Sequence, residues 1–303
     1  MSKRLSLSDL NIGIGKQTRL HRMLYGAGPG GGTMMVLPVD HGLEHGPRDF
    51  FENPDSLDPD YQFQLAVDAG FSAIAVQVGL ASKFMGPYAG QVPLIVKLNG
   101  KTEIPPSNSP RSPLNASIED AVRLGADAIG YTLYIGSSQQ ESDFEAFATV
   151  RREAEQAGIP IVMWAYPRGE YVDAKGGRDS IYAIDYAARV AQELGADVVK
   201  VNYPNADADG VIGPVPEAPA PYDTKTWTLD EALTQIVASA GRTLVIMSGG
   251  SRAPDQLLLD RVETSLASGC AGFIFGRNVI QRPRAEALDI VSRIQERMRK
   301  HSI

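Results

Sequence analysis

A lysine near the end of an apolar run is the residue in this chain with the clearest chemical potential. The run is Asp197-Val198-Val199-Lys200-Val201-Asn202, and its valines favour a β-strand. Because side chains alternate along a strand, Val198 and Lys200 are expected to point to the same apolar side. Desolvation makes a buried amine partly neutral, and a neutral amine is a nucleophile. Lys200 is therefore a candidate for covalent catalysis.

A second lysine ends another strand-like run, Leu94–Lys97. An inward lysine at a strand end can be a salt-bridge partner as easily as a nucleophile, so the residues alone leave Lys97 and Lys200 as equal candidates. Asp40 follows the first strand and shares the parity of its inward residues. A buried carboxylate there needs a cation nearby, which either lysine could supply.

Asp40 also opens a dense polar cluster, Asp40-His41-Gly42-Leu43-Glu44-His45-Gly46-Pro47. Two histidines, an aspartate and a glutamate raise the question of a metal site. The chain has 4 histidines, and the other two, His21 and His301, leave the remaining strand ends short of ligands. We expect no catalytic metal.

Three more strand ends carry residues suited to a phosphorylated substrate. In the fifth strand Trp164 and Tyr166 share one face, where they could simply fill the core, but the Tyr166 hydroxyl would lie at the wet rim and could act as acid or base. Arg168 follows with a planar fork that matches phosphate. The last two strands end in glycine-rich turns that could hold a phosphate on backbone N–H groups, as such turns do in barrels: Ser248-Gly249-Gly250 and Gly276-Arg277.

These residues depend on a repeated strand and helix pattern for their positions. Eight apolar runs have strand character: 34–39, 73–78, 94–97, 128–133, 161–165, 198–201, 244–247 and 272–275. Helical patterns fall between most of them, at 117–124, 141–156, 181–194, 229–240 and 254–267. Such alternation predicts a parallel sheet, and eight units fit an α/β fold of the (β/α)₈ TIM-barrel class. An open doubly wound sheet is the alternative, weakened by the lack of Gly-x-Gly-x-x-Gly after the first strand.

We predict one domain over residues 1–303, with residues 1–33 as an N-terminal extension. This extension should contain a helix over 8–24 and a flexible glycine-rich loop over 26–32, for which a phosphate cradle is the less favoured alternative because the ending of a P-loop is missing. Two proline-rich insertions, 105–115 and 204–223, follow the third and sixth strands, where lids over an active site are expected.

Composition excludes several classes of function. The formal net charge is -7, which argues against a nucleic-acid surface or a polybasic membrane anchor. No window approaches the length of a membrane span, and the first residues do not form a secretory leader. The single cysteine, Cys270, lies in an apolar stretch and is expected to be a core residue. The sequence predicts a cytoplasmic protein.

Several runs considered together are more specific than any single motif. Besides the cluster that begins at Asp40 they are Ala121-Val122-Arg123-Leu124-Gly125-Ala126-Asp127-Ala128, Trp164-Ala165-Tyr166-Pro167-Arg168-Gly169, Val199-Lys200-Val201-Asn202-Tyr203-Pro204 and Ser248-Gly249-Gly250. Through most of its length the chain strongly resembles class I fructose-1,6-bisphosphate aldolases of the archaeal type, which are also found in bacteria. The resemblance implies a (β/α)₈ barrel that uses a Schiff-base lysine and neither a metal nor another cofactor.

The resemblance also implies residue roles. It places the Schiff base on Lys200 rather than Lys97, which leaves Lys97 as a residue of the substrate site. Tyr166 corresponds to the proton-transfer residue, Asp40 to a charged helper beside the lysine, and Trp164 to a wall of the sugar site.

For the phosphates, the resemblance implies a cradle for the ketose 1-phosphate and, less directly, a contact between Arg168 and the distal phosphate. The cradle residues are Ser248, Gly249, Gly276 and Arg277. The expected partners are a phosphorylated sugar substrate and further copies of the same chain in a homo-oligomer.

Two alternatives stay open at this point. A related enzyme could use the same lysine for another carbon–carbon step, as a sugar-phosphate synthase or a thiolase. A non-catalytic sugar-phosphate-binding barrel would keep the phosphate cradle and would not need Lys200, although the presence of Lys200, Tyr166 and Asp40 together makes this the weaker alternative.

Overall fold

Ten β-strands run through the described part of the chain, and eight of them close into a parallel barrel. The computed structural model describes residues 4–207 and 209–303. In chain order the strands are β1 Met34–Pro38, β2 Ala73–Gln77, β3 Leu94–Lys97, β4 Ala128–Ile135, β5 Ile161–Pro167, β6 Val198–Val201, β7 Val211–Ile212, β8 Trp227–Thr228, β9 Leu244–Ser248 and β10 Gly272–Ile274. The barrel order is β1-β10-β9-β6-β5-β4-β3-β2, while β7 and β8 form a small antiparallel sheet. The predicted (β/α)₈ barrel is confirmed, and each predicted strand lies within two residues of an observed one.

Helices connect the strands and surround the barrel. They are α1 Ile14–His21, α2 His41–Glu44, α3 Pro59–Asp68, α4 Val78–Phe84, α5 Ile118–Arg123, α6 Gln140–Ala157, α7 Glu170–Asp173, α8 Ile181–Leu194, α9 Leu229–Ala240, α10 Asp255–Ala267, α11 Arg277–Ile280 and α12 Arg284–Lys300. Gly158 and Gly195 adopt left-handed conformations after α6 and α8, with φ of 62° and 89°. Such glycines end a helix without steric cost, which is why the helix ends could be predicted.

Two hydrophobic layers follow from the alternation of side chains along the barrel strands. Inward residues such as Val36, Val162 and Val198 form the barrel interior, while residues of opposite parity pack against the surrounding helices. Lys200 has the inward parity of Val198. The predicted orientation of this lysine toward the interior is confirmed.

The N-terminal segment closes the amino end of the barrel. Leu20, Met23 and Leu24 pack against the barrel interior, and the buried Lys16 ammonium lies 3.1 Å from Asp197, the residue before β6. The predicted helix over 8–24 begins only at Ile14, because Asn11 takes a left-handed φ of 54° that interrupts a helix. Residues 1–3 of the predicted extension lie outside the described residues.

The glycine-rich loop before β1 is ordered by the other end of the chain. The backbone N–H of Ile303 donates to the Gly31 carbonyl at 3.0 Å, and Arg4 donates to the carbonyls of both Gly31 and His301. A side chain at Gly31 would collide with Ser302. The predictions of a flexible loop and of a phosphate cradle are therefore both wrong, since this loop lies at the end of the barrel opposite the strand carboxyl ends and receives residues 301–303.

The two proline-rich insertions differ in position. Ser107 and Pro110 of the first border the cavity at the carboxyl ends of the strands. The described part of the second instead packs over the outside of α8: the Tyr222 hydroxyl donates to Asp185, and Ile212, Val215 and Ala218 are buried. Ala208 lies outside the described residues. The prediction of a lid is wrong for the described residues of 204–223, because their apolar side chains bind the helical layer.

Within 4–207 and 209–303, every helix is too short or too polar to cross a membrane.

Candidate active site

A cavity of about 420 Å³ opens at the carboxyl ends of the barrel strands. All the predicted site residues except Lys97 line it: Asp40, Trp164, Tyr166, Arg168, Lys200, Ser248, Gly249, Gly276 and Arg277. They come from five strand ends, which explains how residues far apart in sequence meet. Lys97 lies beneath the cavity floor and is fully buried.

Lys200 is the amine that the cavity leaves without a partner. Its side chain is buried, and within the described part of the chain it has neither a hydrogen bond nor an ion pair at contact distance. Burial is the main reason why the pKa of Lys200 falls to about 8; the cations Arg277 and Arg168 lower it further, while Asp40 and Glu44 oppose the shift. A pKa near 8 leaves roughly a tenth of the lysine neutral at pH 7. Such a lysine can act as a nucleophile.

Lys97, by contrast, is held as a cation. Its ammonium donates to Asp40 Oδ2 at 3.1 Å and to Thr132 Oγ1 at 2.7 Å, and Glu44 Oε1 lies 3.7 Å away. Burial by itself would raise the pKa of Asp40, but Lys97, followed by His41 and Lys200, outweighs it and keeps that pKa well below the usual range. Lys97 thus supplies the cation that was predicted beside the buried carboxylate of Asp40.

Trp164 forms the cavity wall between the two lysines. The Lys97 Nζ atom lies 4.2 Å from the Trp164 ring centre and the Lys200 Nζ atom 5.2 Å from it. Gly130 on the neighbouring strand makes room for this arrangement: a Cβ there would lie 2.6 Å from Lys97 Cδ and 2.9 Å from Trp164 Cζ3. The space above this glycine is what lets a large ring and a long lysine lie side by side.

Tyr166 lies above Trp164 on the same face of β5. Lys200 Nζ is 5.0 Å from its ring centre. Burial, together with the negative charges of Asp40 and Glu44, raises the pKa of Tyr166 far above its ordinary value. The phenol is therefore neutral, and in this state it can donate a proton. Tyr134, its register partner on β4, lines the same cavity and has a raised pKa through burial and the charge of Glu44.

Arg168 and Arg277 are two of the four arginines that line the cavity. Arg168 stacks its guanidinium over the Tyr166 ring at 4.9 Å and donates only to the Pro167 carbonyl. Neither Arg168 nor Arg277 has a carboxylate partner among residues 4–207 and 209–303. A half-buried guanidinium without a counter-charge favours an anionic ligand.

The turns after β9 and β10 form one polar wall. The Gly249 N–H is already used, since it donates to the Ile274 carbonyl at 3.3 Å. The backbone N–H groups of Gly250, Ser251, Gly276 and Arg277 point to no acceptor within the described residues and are open to an anion. The Asn278 side chain joins the two turns by donating to the Gly249 carbonyl at 2.9 Å while accepting from the Ala253 N–H.

The histidines after β1 have separate partners. His45 Nδ1 lies 2.7 Å from Asp49 Oδ2, while His41 packs against Gly276. Burial is the main cause that lowers the pKa of His41 to about 4, so this ring is neutral at physiological pH. Among the described residues, no three His, Cys, Asp or Glu side chains come together as metal ligands.

The predicted site did not include Glu44 and Tyr134, which line the cavity, or the buried Asn278, which joins the turns after β9 and β10. For Glu44 a signal existed, because Asp40 and Glu44 are four residues apart and a single helical turn places such residues on one side. For Tyr134 the alternation along β4 also gave a signal, but the end of that strand was predicted two residues early. Asn278 carries no sequence signal that separates it from an ordinary surface asparagine.

Comparison with known proteins identifies the class of this chain. The DeoC/LacD family aldolase profile matches residues 34–282. The "Fructose-bisphosphate aldolase class 1" of Thermoproteus tenax is 42% identical over 252 residues, which are 83% of this chain and 84% of that protein. The chain belongs to the class I fructose-bisphosphate aldolases.

Two further matches agree with that membership. A solved archaeal fructose-1,6-bisphosphate aldolase, with its catalytic lysine bound to the carbinolamine intermediate of the substrate, superposes with a TM-score of 0.77 and 37% identity over 92% of this chain and 98% of that one. The "Fructose-bisphosphate aldolase/6-deoxy-5-ketofructose 1-phosphate synthase" of Methanocaldococcus jannaschii is 33% identical over 87% of this chain and 80% of that protein.

The predicted resemblance is thereby confirmed. This aldolase is a carbon–carbon lyase that uses a covalent Schiff base on a lysine, and the class needs no metal cofactor.

Proposed function

We propose that this class I aldolase reversibly cleaves fructose 1,6-bisphosphate to dihydroxyacetone phosphate and glyceraldehyde 3-phosphate, with Lys200 as the Schiff-base residue. The observation that carries the proposal is the state of Lys200: a buried amine without a partner among the described residues and with a pKa of about 8, in a cavity that Arg168 and Arg277 also line. A neutral amine attacks the C2 carbonyl of the ketose, and the loss of water gives an iminium.

Asp40 is proposed to assist this step. Its carboxylate is fixed by Lys97 at 3.1 Å and influences the charge of Lys200. Proton transfers to and from the carbinolamine need a group at that place. Lys97 is assigned a supporting role, because its cation keeps Asp40 ionised.

Tyr166 is proposed to act at the bond that breaks. Cleavage of the C3–C4 bond sends its electron pair to the iminium nitrogen, while the C4 hydroxyl loses its proton to Tyr166. Trp164 forms the wall against which the sugar carbons lie. The enamine that remains is protonated at C3 and hydrolysed to dihydroxyacetone phosphate.

The phosphates are proposed to bind at two places. The ketose 1-phosphate lies against the wall formed by the turns after β9 and β10, which includes Ser248, Gly249, Gly276 and Arg277. The backbone N–H groups of Gly276 and Arg277 are open to this anion, whereas that of Gly249 already has an acceptor. The distal phosphate pairs with Arg168. The same observation supports both phosphate positions. The guanidiniums of Arg168 and Arg277 are each half-buried and lack a carboxylate partner within the described residues.

The test is a trapping experiment. The protein is mixed with fructose 1,6-bisphosphate in EDTA, reduced with borohydride and analysed by intact and peptide mass. We expect a triose-phosphate adduct on Lys200, and none on a Lys200→Met variant. No adduct in the wild type, with activity lost to EDTA, would reject the proposal and point to a metal at the cluster that begins at Asp40.

A second candidate activity rests on the relative from Methanocaldococcus jannaschii, whose name joins the aldolase to a sugar-phosphate synthase. Both steps would use the same lysine and cradle. A substrate panel separates them, because a synthase accepts a second carbonyl compound in place of glyceraldehyde 3-phosphate.

We further propose that residues 1–303 form one domain with residues 1–33 as its extension, and that the protein is a cytoplasmic homo-oligomer. The net charge of -7 supports the absence of nucleic-acid partners, and the family resemblance supports oligomerisation. Light scattering on the purified protein measures the oligomeric state.

A further inference from the structure

Two carboxylates face Lys97, and they are not equivalent. Asp40 Oδ2 accepts a hydrogen bond from the Lys97 ammonium at 3.1 Å. Glu44 Oε1 lies 3.7 Å from the same nitrogen, is buried, and has no hydrogen-bond donor within the described parts of the chain. One carboxylate thus accepts a hydrogen bond from the ammonium, and the other is left with an open acceptor position.

The short helix α2 produces this arrangement. Asp40 precedes its first residue, and the Glu44 N–H donates to the Asp40 carbonyl at 3.3 Å. One helical turn brings residues four apart onto the same side, so both side chains reach toward Lys97. Glu44 is still 14% exposed and lines the cavity together with Tyr166, so it can exchange a proton there.

The proposed cleavage step needs such a group. Tyr166 is neutral, because burial and the charges of Asp40 and Glu44 keep its proton on the oxygen. A neutral phenol can take the proton of the C4 hydroxyl only if it gives up its own proton at the same time. Asp40 is a poor recipient, since Lys97 already stabilises its ionised form.

We propose that Glu44 accepts this proton and so makes Tyr166 competent as a base, a role that rests on the proposed aldolase function. In the step, the O–H bond at C4 breaks and its proton moves to the Tyr166 oxygen. The Tyr166 proton moves to a Glu44 oxygen, a C4=O bond forms, and the C3–C4 electron pair becomes part of the enamine. The iminium loses its positive charge and Glu44 its negative charge, so the step is balanced.

The ionisation of Glu44 depends on groups from several elements. Burial raises its pKa above the ordinary range of a glutamate; Lys97 opposes the shift, Asp40 reinforces it, and Lys200 and His45 oppose it. The charged and titratable groups around this carboxylate are Asp40, His41 and His45 near α2, Lys97 on β3, Tyr134 on β4, Tyr166 and Arg168 at β5, and Lys200 on β6.

Glu44 must be ionised to accept a proton. The rate of cleavage is therefore expected to rise as pH increases through the raised pKa of Glu44 and then to level off.

The experiment uses the Glu44→Gln variant with two separate readouts. Borohydride trapping with dihydroxyacetone phosphate reports Schiff-base formation, and kcat for fructose 1,6-bisphosphate cleavage against pH reports the proton transfer. We expect an adduct on Lys200 as in the wild type. The kcat of Glu44→Gln should be lower by about 10²-fold or more, and the rise of kcat with increasing pH, the ascending limb of the pH profile, should be lost. Added formate should restore part of the activity of Glu44→Ala, because a small carboxylate can enter the vacated space.

Glu103→Gln is the matched control. Glu103 is a carboxylate at the rim of the same cavity that is paired with Arg48 at 2.9 Å. Its replacement should leave kcat and the ascending limb of the pH profile unchanged.

The outcomes separate the two proposals. If wild-type protein gives no Lys200 adduct, the proposed function fails. If wild type and Glu44→Gln are both trapped but Glu44→Gln keeps a near-native kcat with its ascending limb, the role of Glu44 is rejected. Loss of trapping in Glu44→Gln would also reject it, because Glu44 would then act on Lys200 rather than through Tyr166.

Discussion

Lys97 and Lys200 share one aromatic ring, with their Nζ atoms 4.2 Å and 5.2 Å from the ring centre of Trp164, yet their surroundings are opposite. Lys97 has a carboxylate and a hydroxyl as acceptors, whereas Lys200 has neither within the described residues. Two amines of the same type therefore lie a few ångströms apart with different hydrogen-bond partners. Their difference in partners makes one a structural cation and the other a candidate nucleophile.

Replacing each lysine by methionine should have opposite effects on stability. Lys97→Met leaves the buried Asp40 and Glu44 without their cation, and the loss of one partner of a buried ion pair costs about 3–5 kcal/mol of unfolding free energy. Lys200→Met removes a buried amine that lacks a partner among the described residues, so stability should stay equal or rise. Urea denaturation of the two variants measures this. Equal destabilisation of both would contradict the assignment.

The rate of adduct formation should rise with pH. Only the neutral amine attacks a carbonyl, and the neutral fraction of Lys200 grows as pH approaches its pKa of about 8. The initial rate of trapping with dihydroxyacetone phosphate should therefore increase roughly tenfold from pH 6 to pH 7 and level off above about pH 9.

The same experiment on two arginine variants checks the cause of this shift. Arg277→Met removes a cation that lowers the pKa of Lys200, so the curve should move to higher pH. Arg178→Met is the control, because Arg178 is paired with Asp179 at 3.4 Å and the curve should stay in place. A curve for Arg277→Met that matches the wild type would show that Arg277 does not contribute to the lowered pKa of Lys200.

Tyr166→Phe should lower turnover by about 10²-fold or more while adduct formation persists, in line with the usual size of an acid–base contribution. Tyr134→Phe tests whether any phenol in the cavity serves, since Tyr134 is the register partner on β4; its effect should be much smaller. Steady-state turnover and borohydride trapping give the two quantities. Near-native turnover of the Tyr166→Phe variant would remove Tyr166 from the proposed role.

Arg168 and Arg277 should differ in the phosphate they recognise. Arg168→Met is expected to raise KM for fructose 1,6-bisphosphate and to leave KM for fructose 1-phosphate nearly unchanged, since only the former has a distal phosphate. Arg277→Met should raise KM for both, by about tenfold or more, because charge-assisted hydrogen bonds are the strong ones. The opposite pattern would exchange the assignment of the two phosphate positions.

Much of the barrel follows from local sequence signals. The apolar runs at 94–97 and 198–201 match β3 and β6 in full, because buried parallel strands are continuous apolar segments whose ends are marked by polar residues. Glycines such as Gly158 and Gly195 mark helix ends through a conformation that few other residues adopt. These signals are contained within a few neighbouring residues.

The remainder depends on contacts that cross the barrel. The sequence of either strand does not reveal which lysine lacks a hydrogen-bond partner. That difference arises because Asp40, from another part of the chain, lies within hydrogen-bond distance of Lys97. The direction of the insertion after β6 was predicted wrongly because proline and small residues indicate irregular backbone without indicating where it packs. Glu44 was overlooked as a site residue since its environment is set by Lys97, far away in sequence.

The contact between Arg4 and His301 has a practical meaning for protein engineering. Residues from near both ends of the chain meet beside Gly31, at the barrel face opposite the cavity. A substitution at this contact, such as Arg4→Met, would therefore change the packing at the closed face of the barrel and leave the substrate entrance untouched. The stability of the barrel can then be adjusted at a place that is separate from the sugar site.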